Sequence, residues 1–396
     1  MRGTCVGAGS SRPGGREAAT VAVAASGPRS TATASNNVVV AGAGIVGAST
    51  AWFLMTEHDR PVLLLDATHP AASASGKAGG FLAATWSDGL ATQELSREGF
   101  SLHQTWSKQP EFADVDYRFG IDAVSGALGA VSDYRYIGAD RRACGQVHPR
   151  KLTNALVDGL VARGGEVRSD TMLYEVLTEE AGSSGRKVVG VRVGHAEGGG
   201  DEEVIDTETC VLALGAWTGV TMKSACEGVV MGPDIVGQKV HSVVVRDVRV
   251  AERQASTSLF LHDGRGAEPE AYPRPDGTVY VCGNQGGRSY DALPPRLASA
   301  VGVEEDGSCE YLREVSAVVL ETNASDVEVL EAQACYLPVS SSSRPVVSAV
   351  PGVAGLYVAA GHSCWGILQG PVSGKACAEL IATGSSTCVD LRPFTL

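Results

Sequence analysis

The segment that most constrains this chain is residues 38–66. Val38-Val39-Val40 is a β-branched run of the kind buried on both faces in a parallel sheet. Ala41-Gly42-Ala43-Gly44-Ile45-Val46-Gly47 follows, and then a helix-forming stretch from Ala48 to Glu57. A second apolar run, Pro61-Val62-Leu63-Leu64-Leu65, ends on Asp66, 24 positions after Gly42. The order is strand, GxGxxG turn, helix, strand, acid. Each residue type has a task in it. Gly42 permits the tight turn, Gly44 lets the backbone approach a pyrophosphate, and Gly47 allows the helix to pack closely on the strand. Free N–H groups at the helix N-terminus and the helix dipole favour an anion there. Asp66 stands where a ribose-binding acid belongs. The segment therefore predicts a dinucleotide site, and the acid favours FAD or NAD over NADP, whose 2′-phosphate it would repel.

Composition narrows the rest. Glycine contributes 49 of 396 residues, about 12% against roughly 7% in an average chain, with no collagen period. These glycines have specific backbone positions to fill. The net charge is −13 and there is no basic block, which argues against nucleic acid as a partner. Ten cysteines occur singly, with no CxxC pair, so no metal site is expected and the thiols read as reduced. Val38 to Thr56 carries no charge, yet its glycines divide it into strand, turn and helix, and no membrane span is expected. The length predicts two or three domains.

Residues 1–36 differ from the body. They hold Arg2, Arg12, Arg16 and Arg29 against a single acid, Glu17, in an Ala/Gly/Ser/Thr background. Such a leader reads as disordered. Its composition has the character of a plastid or mitochondrial transit peptide; read the other way, it is a plain extension of a cytoplasmic protein.

Further along, the chain is similar to a known family. Ser75-Gly76-Lys77-Ala78-Gly79-Gly80, after Asp66 and Ala67, resembles a Ser-Gly-x-x-Gly-Gly segment of the D-amino-acid oxidase, glycine oxidase and sarcosine oxidase superfamily. Gln146 to Leu152, opening a helix that runs to Ala162, continues the likeness, as does Val211-Leu212-Ala213-Leu214-Gly215-Ala216-Trp217. Gly361-His362-Ser363-Cys364-Trp365-Gly366-Ile367-Leu368, before a helix expected over Pro371–Ala382, resembles a Gly-His-x-x-x-Gly-Ile-Leu pattern of glycine oxidases. Lys77 and the Cys364-Trp365 pair look most like a little-characterised eukaryotic branch. The resemblance implies an FAD site drawn from Gly42–Gly47, Asp66, Ala67, Ser75, Lys77, Ala78, Gly79, Gly80, Val176, Leu214, Gly215, Trp217, Gly361, His362, Gly366, Ile367 and Leu368. It also implies that Cys335 stands where some relatives attach FAD covalently, although a buried structural thiol is the alternative.

The chain departs from the family at one informative place. Relatives hold a substrate carboxylate with an Arg before a Pro; here that position is Leu337, in Cys335-Tyr336-Leu337-Pro338. Arg274 or Arg344 is a possible substitute. Catalytic candidates are Lys77, His362, Tyr272 and Arg274, while His148 and His241 read as structural. Tyr272-Pro273-Arg274-Pro275-Asp276-Gly277 reads as a turn into a strand, Thr278–Cys282, within an antiparallel sheet that also holds Gln238–Arg246.

The expected architecture is α/β: a Rossmann-type FAD-binding domain with a discontinuous path (37–105, 146–235, 336–396) and an antiparallel cap carrying the substrate pocket (106–145, 236–335). The resemblance implies an FAD-dependent oxidoreductase that oxidises the C–N bond of an amine or amino acid, with oxygen as acceptor. Alternatives are a dehydrogenase using another electron acceptor, and a binding module on a flavoprotein fold.

Overall fold

The computed structural model describes residues 37–137, 140–182, 185–198, 200–225, 232–246, 257–283, 290–291, 297–303 and 307–396. The leader, 1–36, lies outside them. β1 (Val38–Ala41), α1 (Ile45–Glu57) and β2 (Val62–Leu65) form in the expected order. β1 and β2 pair in parallel, and every residue of both strands is buried. Cys210–Leu212 and Leu356–Ala360 extend the parallel sheet on one side, and Glu166–Arg168 on the other. Val346–Ala349 adds an antiparallel edge strand.

Strand alternation divides the core into two layers. Val38, Val40, Val62 and Leu64 pack beneath α1, the helix Pro149–Ala162 and the C-terminal helix Gly366–Thr383. Val39, Ala41, Leu63 and Leu65 face the opposite way, onto Leu173, Val176, Val188 and Val191 of an antiparallel meander (Thr171–Glu180, Arg186–His195, Glu203–Asp206). Both faces of the parallel sheet are thus covered, as its apolar strands require.

The second large sheet is built on Ile235–Arg246, flanked by Val329–Ser340 and Thr278–Cys282. It continues through Glu270–Pro273 and Thr257–His262 to Asp122–Ala127. The last pairing is parallel; the other pairings named are antiparallel. Its outer face, with Val243, Val245, Val279 and Val281, is covered by the helix Ser308–Val319. Its inner face carries Val244, Tyr272 and Tyr280 and meets Phe81.

Residues 106–145 divide, contrary to the expectation that they join the cap as one piece. Trp106, Phe112 and Val115 are buried under the parallel sheet. Tyr117–Phe119 and Cys144–Val147 form a small sheet with Phe81–Ala83. Only Asp122–Ala127 and Arg135–Tyr136 enter the second large sheet. Val329–Ser340 also runs through the boundary drawn at 335/336 as one strand. Apolar residues decide the first division: burying Trp106 and Phe112 outweighs chain proximity to the cap.

Among the described residues, no helix is long and apolar enough to cross a membrane, and no cluster of His, Cys, Asp and Glu could hold a metal ion.

Candidate active site

Three glycine-containing loops converge on one cleft of about 600 Å3. In the first, Gly42 has φ +104°, and a Cβ there would collide with the Ala213 carbonyl oxygen. A Cβ at Gly47 would collide with the carbonyl of Gly42 itself, so α1 can start this close to the turn only with glycine at both positions. The Ala43 N–H donates to Asp66 Oδ2 at 2.8 Å, which anchors the turn to the end of β2. The Ile45 N–H donates to Ser75 Oγ at 2.9 Å. No acid lies in the first turn of α1, so its positive end is left for a ligand. The second loop follows Cys210–Leu212: Gly215 (φ +55°) opens a short turn, Gly215–Trp217, and then a helix, Thr218–Ala225. The third follows Leu356–Ala360, where Gly361 (φ +88°) leads through His362 to the helix starting at Gly366.

That last helix begins five residues before the expected Pro371. A proline inside a helix leaves the carbonyl four residues earlier without its usual donor. Here that carbonyl belongs to Ile367, and His103 Nε2 donates to it at 2.8 Å. The bond fixes the His103 tautomer, with Nδ1 left to accept from Tyr117 Oη at 3.2 Å. The helix Gln93–Trp106 thereby completes the first turns of a helix that faces the cleft. No signal for this exists in the sequence near 371, because the compensating group is 268 positions away.

Gly42, Gly44, Ile45, Val46, Asp66, Ala67, Ser75, Ala78, Leu214, Gly215, Trp217, His362, Gly366 and Ile367 all line the cleft. Ala43, Gly47, Gly361 and Leu368 support the lining from behind it. The structure moves other candidates elsewhere. Val176 is buried in the core of the meander, and Thr171–Tyr174 line the cleft in its place. A β-bulge at Tyr174, between the Arg192–Glu175 and Val193–Leu173 pairs, breaks the alternation, so Val176 shares the core face with Leu173. Lys77 Nζ donates to the Ala334 carbonyl at 2.9 Å and borders a smaller side pocket with Arg150 and Asn154. Gly79 and Gly80 pass the chain between sheets: a Cβ at Gly79 would meet the Tyr272 and Tyr280 rings, and one at Gly80 the Val147 carbonyl.

Arg274 is 7% exposed, lies over the Tyr280 ring at 5.3 Å and donates to the Ala78 carbonyl at 3.1 Å. It does not line the cleft. Arg344 is exposed on a turn, and Leu337 itself lines the cleft. Tyr272 is buried, its hydroxyl bonded to Glu270 Oε2 at 2.5 Å. Cys335 is buried and does not line the cleft, and burial pushes its thiol up to about 12, which disfavours the thiolate. His362 Nε2 meets Ser373 Oγ at 2.9 Å, and burial lowers its imidazole to about 4, which keeps it neutral at neutral pH.

Further contributors escaped the sequence reading. Thr68 bonds Asp66 Oδ1 through its N–H at 2.9 Å and its hydroxyl at 3.0 Å, and it lines the cleft. The Asp-x-Thr spacing is a turn signal that could have revealed it. Tyr336 and Pro338, beside Leu337, bring the second sheet to the cleft wall; only the strand's register with Ile235–Arg246 places them there.

The donor set fits a dinucleotide. A helix N-terminus free of its own acids suits a diphosphate. Asp66 accepts three protein hydrogen bonds and keeps lone-pair capacity on Oδ2 for a ribose hydroxyl. The remaining wall is mostly apolar backbone and small side chains, suited to a flat ring system.

The fold and cleft define a flavin-type oxidoreductase, and comparison with known proteins makes this specific. The sequence pattern of the DAO family, FAD dependent oxidoreductase, matches residues 37–122 and 128–380, and the chain belongs to this family. It is 28% identical over 398 positions to a Schizosaccharomyces pombe chain bearing the name oxidoreductase C1F5.03c, covering 90% of this chain and 97% of that one. It is 24% identical over 414 positions to the 4-methylaminobutanoate oxidase (formaldehyde-forming) of Paenarthrobacter nicotinovorans, covering 90% of this chain and 45% of the relative. Glycine oxidase from Geobacillus kaustophilus shares the fold, with a TM-score of 0.71 at 18% identity over 91% of this chain and 98% of that one. The protein is thus an FAD-dependent oxidoreductase, related to amino-acid and amine oxidases.

Proposed function

We propose that the cleft binds FAD along the three glycine loops and that the enzyme oxidises the C–N bond of an amine, with oxygen as the terminal acceptor. The observation that carries this reading is the convergence of residues 42–46, 214–217 and 362–367 on one cleft, with the N-termini of α1 and Gly366–Thr383 both turned toward it. When bound, FAD would supply the two-electron acceptor for hydride removal from the substrate's C–H bond; with oxygen as the terminal acceptor, the products would be hydrogen peroxide and an imine that hydrolyses.

The chain's own residues position and polarise. The first turn of α1 holds the diphosphate, and Asp66, braced by Ala43 and Thr68, holds the ribose. The N-terminus of the Gly366 helix lies at the cleft lining, where its positive end would stabilise negative charge on a bound ring system. His362 is neutral and bonded to Ser373, so it orients the loop and takes no proton. The substrate nitrogen must therefore reach the site unprotonated or lose its proton to solvent. That Leu337 replaces the carboxylate-binding Arg supports an amine over an α-amino acid.

The test is to supply amines with oxygen or, anaerobically, with an artificial dye acceptor, and to measure peroxide and turnover. Peroxide stoichiometric with amine consumed is expected. Turnover with the dye and none with oxygen would contradict an oxygen-using enzyme.

A further inference from the structure

Beside the cleft, on the inner face of the second sheet, stands an aromatic wall. Trp86 lies 6.2 Å from Trp365, 4.9 Å from Phe260 and 5.0 Å from Phe81, centroid to centroid. Phe81 stacks on Tyr272 at 5.7 Å. Trp365 is flanked in sequence by Cys364 and Gly366, both in the cleft lining, so the wall adjoins the cleft's mouth. Phe81, Trp86, Phe260 and Trp365 are all only partly buried.

The Glu270 carboxylate is set into this wall, with the exposed Glu268 carboxylate close enough to repel it. Glu270 accepts from the Tyr272 hydroxyl at 2.5 Å and from the Cys282 thiol at 3.7 Å, both on Oε2. Oε1 is neither paired nor sealed from solvent among the described residues. Burial raises the Glu270 carboxyl above its usual range, and no described cation neutralises it. Cys282 in turn lies within electrostatic reach of Cys364 in the cleft lining. Meanwhile no described Lys or Arg lines the main cleft. Lys77 and Arg274 are both turned onto backbone carbonyls.

Carboxylates beside aromatic faces repel an anion and attract a cation, and a cation within about 6 Å of a ring gains the quadrupole attraction as well. We propose that this wall recognises a positively charged nitrogen of the substrate, with Glu270 as countercharge and Trp86, Phe260 and Trp365 as the aromatic faces. The substrate class is then cationic amines that carry no carboxylate beside the reacting nitrogen, such as diamines or amines bearing a quaternary ammonium. This rests on the reading of the cleft as a C–N oxidation site.

The experiment titrates FAD-loaded protein with benzyltrimethylammonium and, separately, with benzoate, following the flavin absorption band and tryptophan fluorescence. The cation is expected to bind saturably and to weaken with salt, and benzoate to bind at least about tenfold more weakly. Glu270→Gln should lower affinity for the cation about tenfold or more while keeping the flavin content of the wild type. Tighter binding of benzoate, or an unchanged cation affinity in Glu270→Gln, would overturn the proposal. Should Glu270→Gln not yield holoprotein, the wild-type preference between the two probes decides. The two readings fail separately. Flavin bleaching by amines together with a preference for benzoate removes this pocket and keeps the reaction. Cation binding with no bleaching by any amine removes the reaction and keeps the pocket.

Discussion

Gly42 carries more constraint than any other single residue. Its φ of +104° and the Ala213 carbonyl both exclude a side chain. Gly42→Ala is expected to cost roughly 1–3 kcal/mol from the backbone conformation alone and to yield protein with a lower flavin-to-protein absorbance ratio; an unchanged ratio would contradict the assigned approach. Buried imidazoles set a pH dependence at the same scale. His103 and His362 are each lowered by burial from 6.5 to about 4. Between those values only the unfolded chain binds the proton, so stability is lost as pH falls through this window. Unfolding free energy should drop on the order of 2 kcal/mol per imidazole between about pH 7 and pH 5, measurable by urea titration at each pH. The residues legible in the sequence were those whose role is local: Gly42, Gly44, Gly47 and Asp66 sit within one strand–turn–helix–strand unit. The surroundings of Lys77, Arg274 and Tyr272 were not legible, because their partners, the carbonyls of Ala334 and Ala78 and the Glu270 carboxylate, are fixed by sheet register and by packing between distant segments.

Among the elements, the C-terminal helix shows the same limit. Proline is favoured in a helix's first turn, so Pro371 reads as a start, whereas the helix starts at Gly366 because His103 donates to the carbonyl that Pro371 leaves open. A double-mutant cycle tests this. His103→Phe should cost about 1–3 kcal/mol by leaving the Ile367 carbonyl unpaired. In a Pro371→Ala background the restored N–H can donate to that carbonyl, and the cost should be smaller by roughly 1 kcal/mol or more. Equal costs in both backgrounds would show that the bond does not compensate the proline. Gly374 fixes the packing of this helix on α1: a Cβ there would come within 2.6 Å of Ser49 Cβ and 2.7 Å of Thr50 N. Gly374→Ala is expected to destabilise by about 1–3 kcal/mol through overpacking, read from the urea midpoint.

For the whole molecule, the α/β class and the presence of two large sheets were readable, because parallel-strand composition and turn chemistry are written locally. The sharing of residues 106–145 between them was not, since Trp106 and Phe112 find their partners, Phe53 and Trp52, only in the folded chain. The joining of the sheets matters for function: Leu337 and Pro338 reach the cleft from one sheet while Ala41 and Ala360 arrive from the other. The central claim is that this composite cleft oxidises amines with FAD. Its most direct test is the anaerobic addition of amines to the purified yellow protein, with the flavin band followed by stopped-flow absorbance. Concentration-dependent bleaching by an amine, with the band restored on admitting oxygen, is the predicted result; protein that carries FAD yet is bleached by no amine would contradict the account.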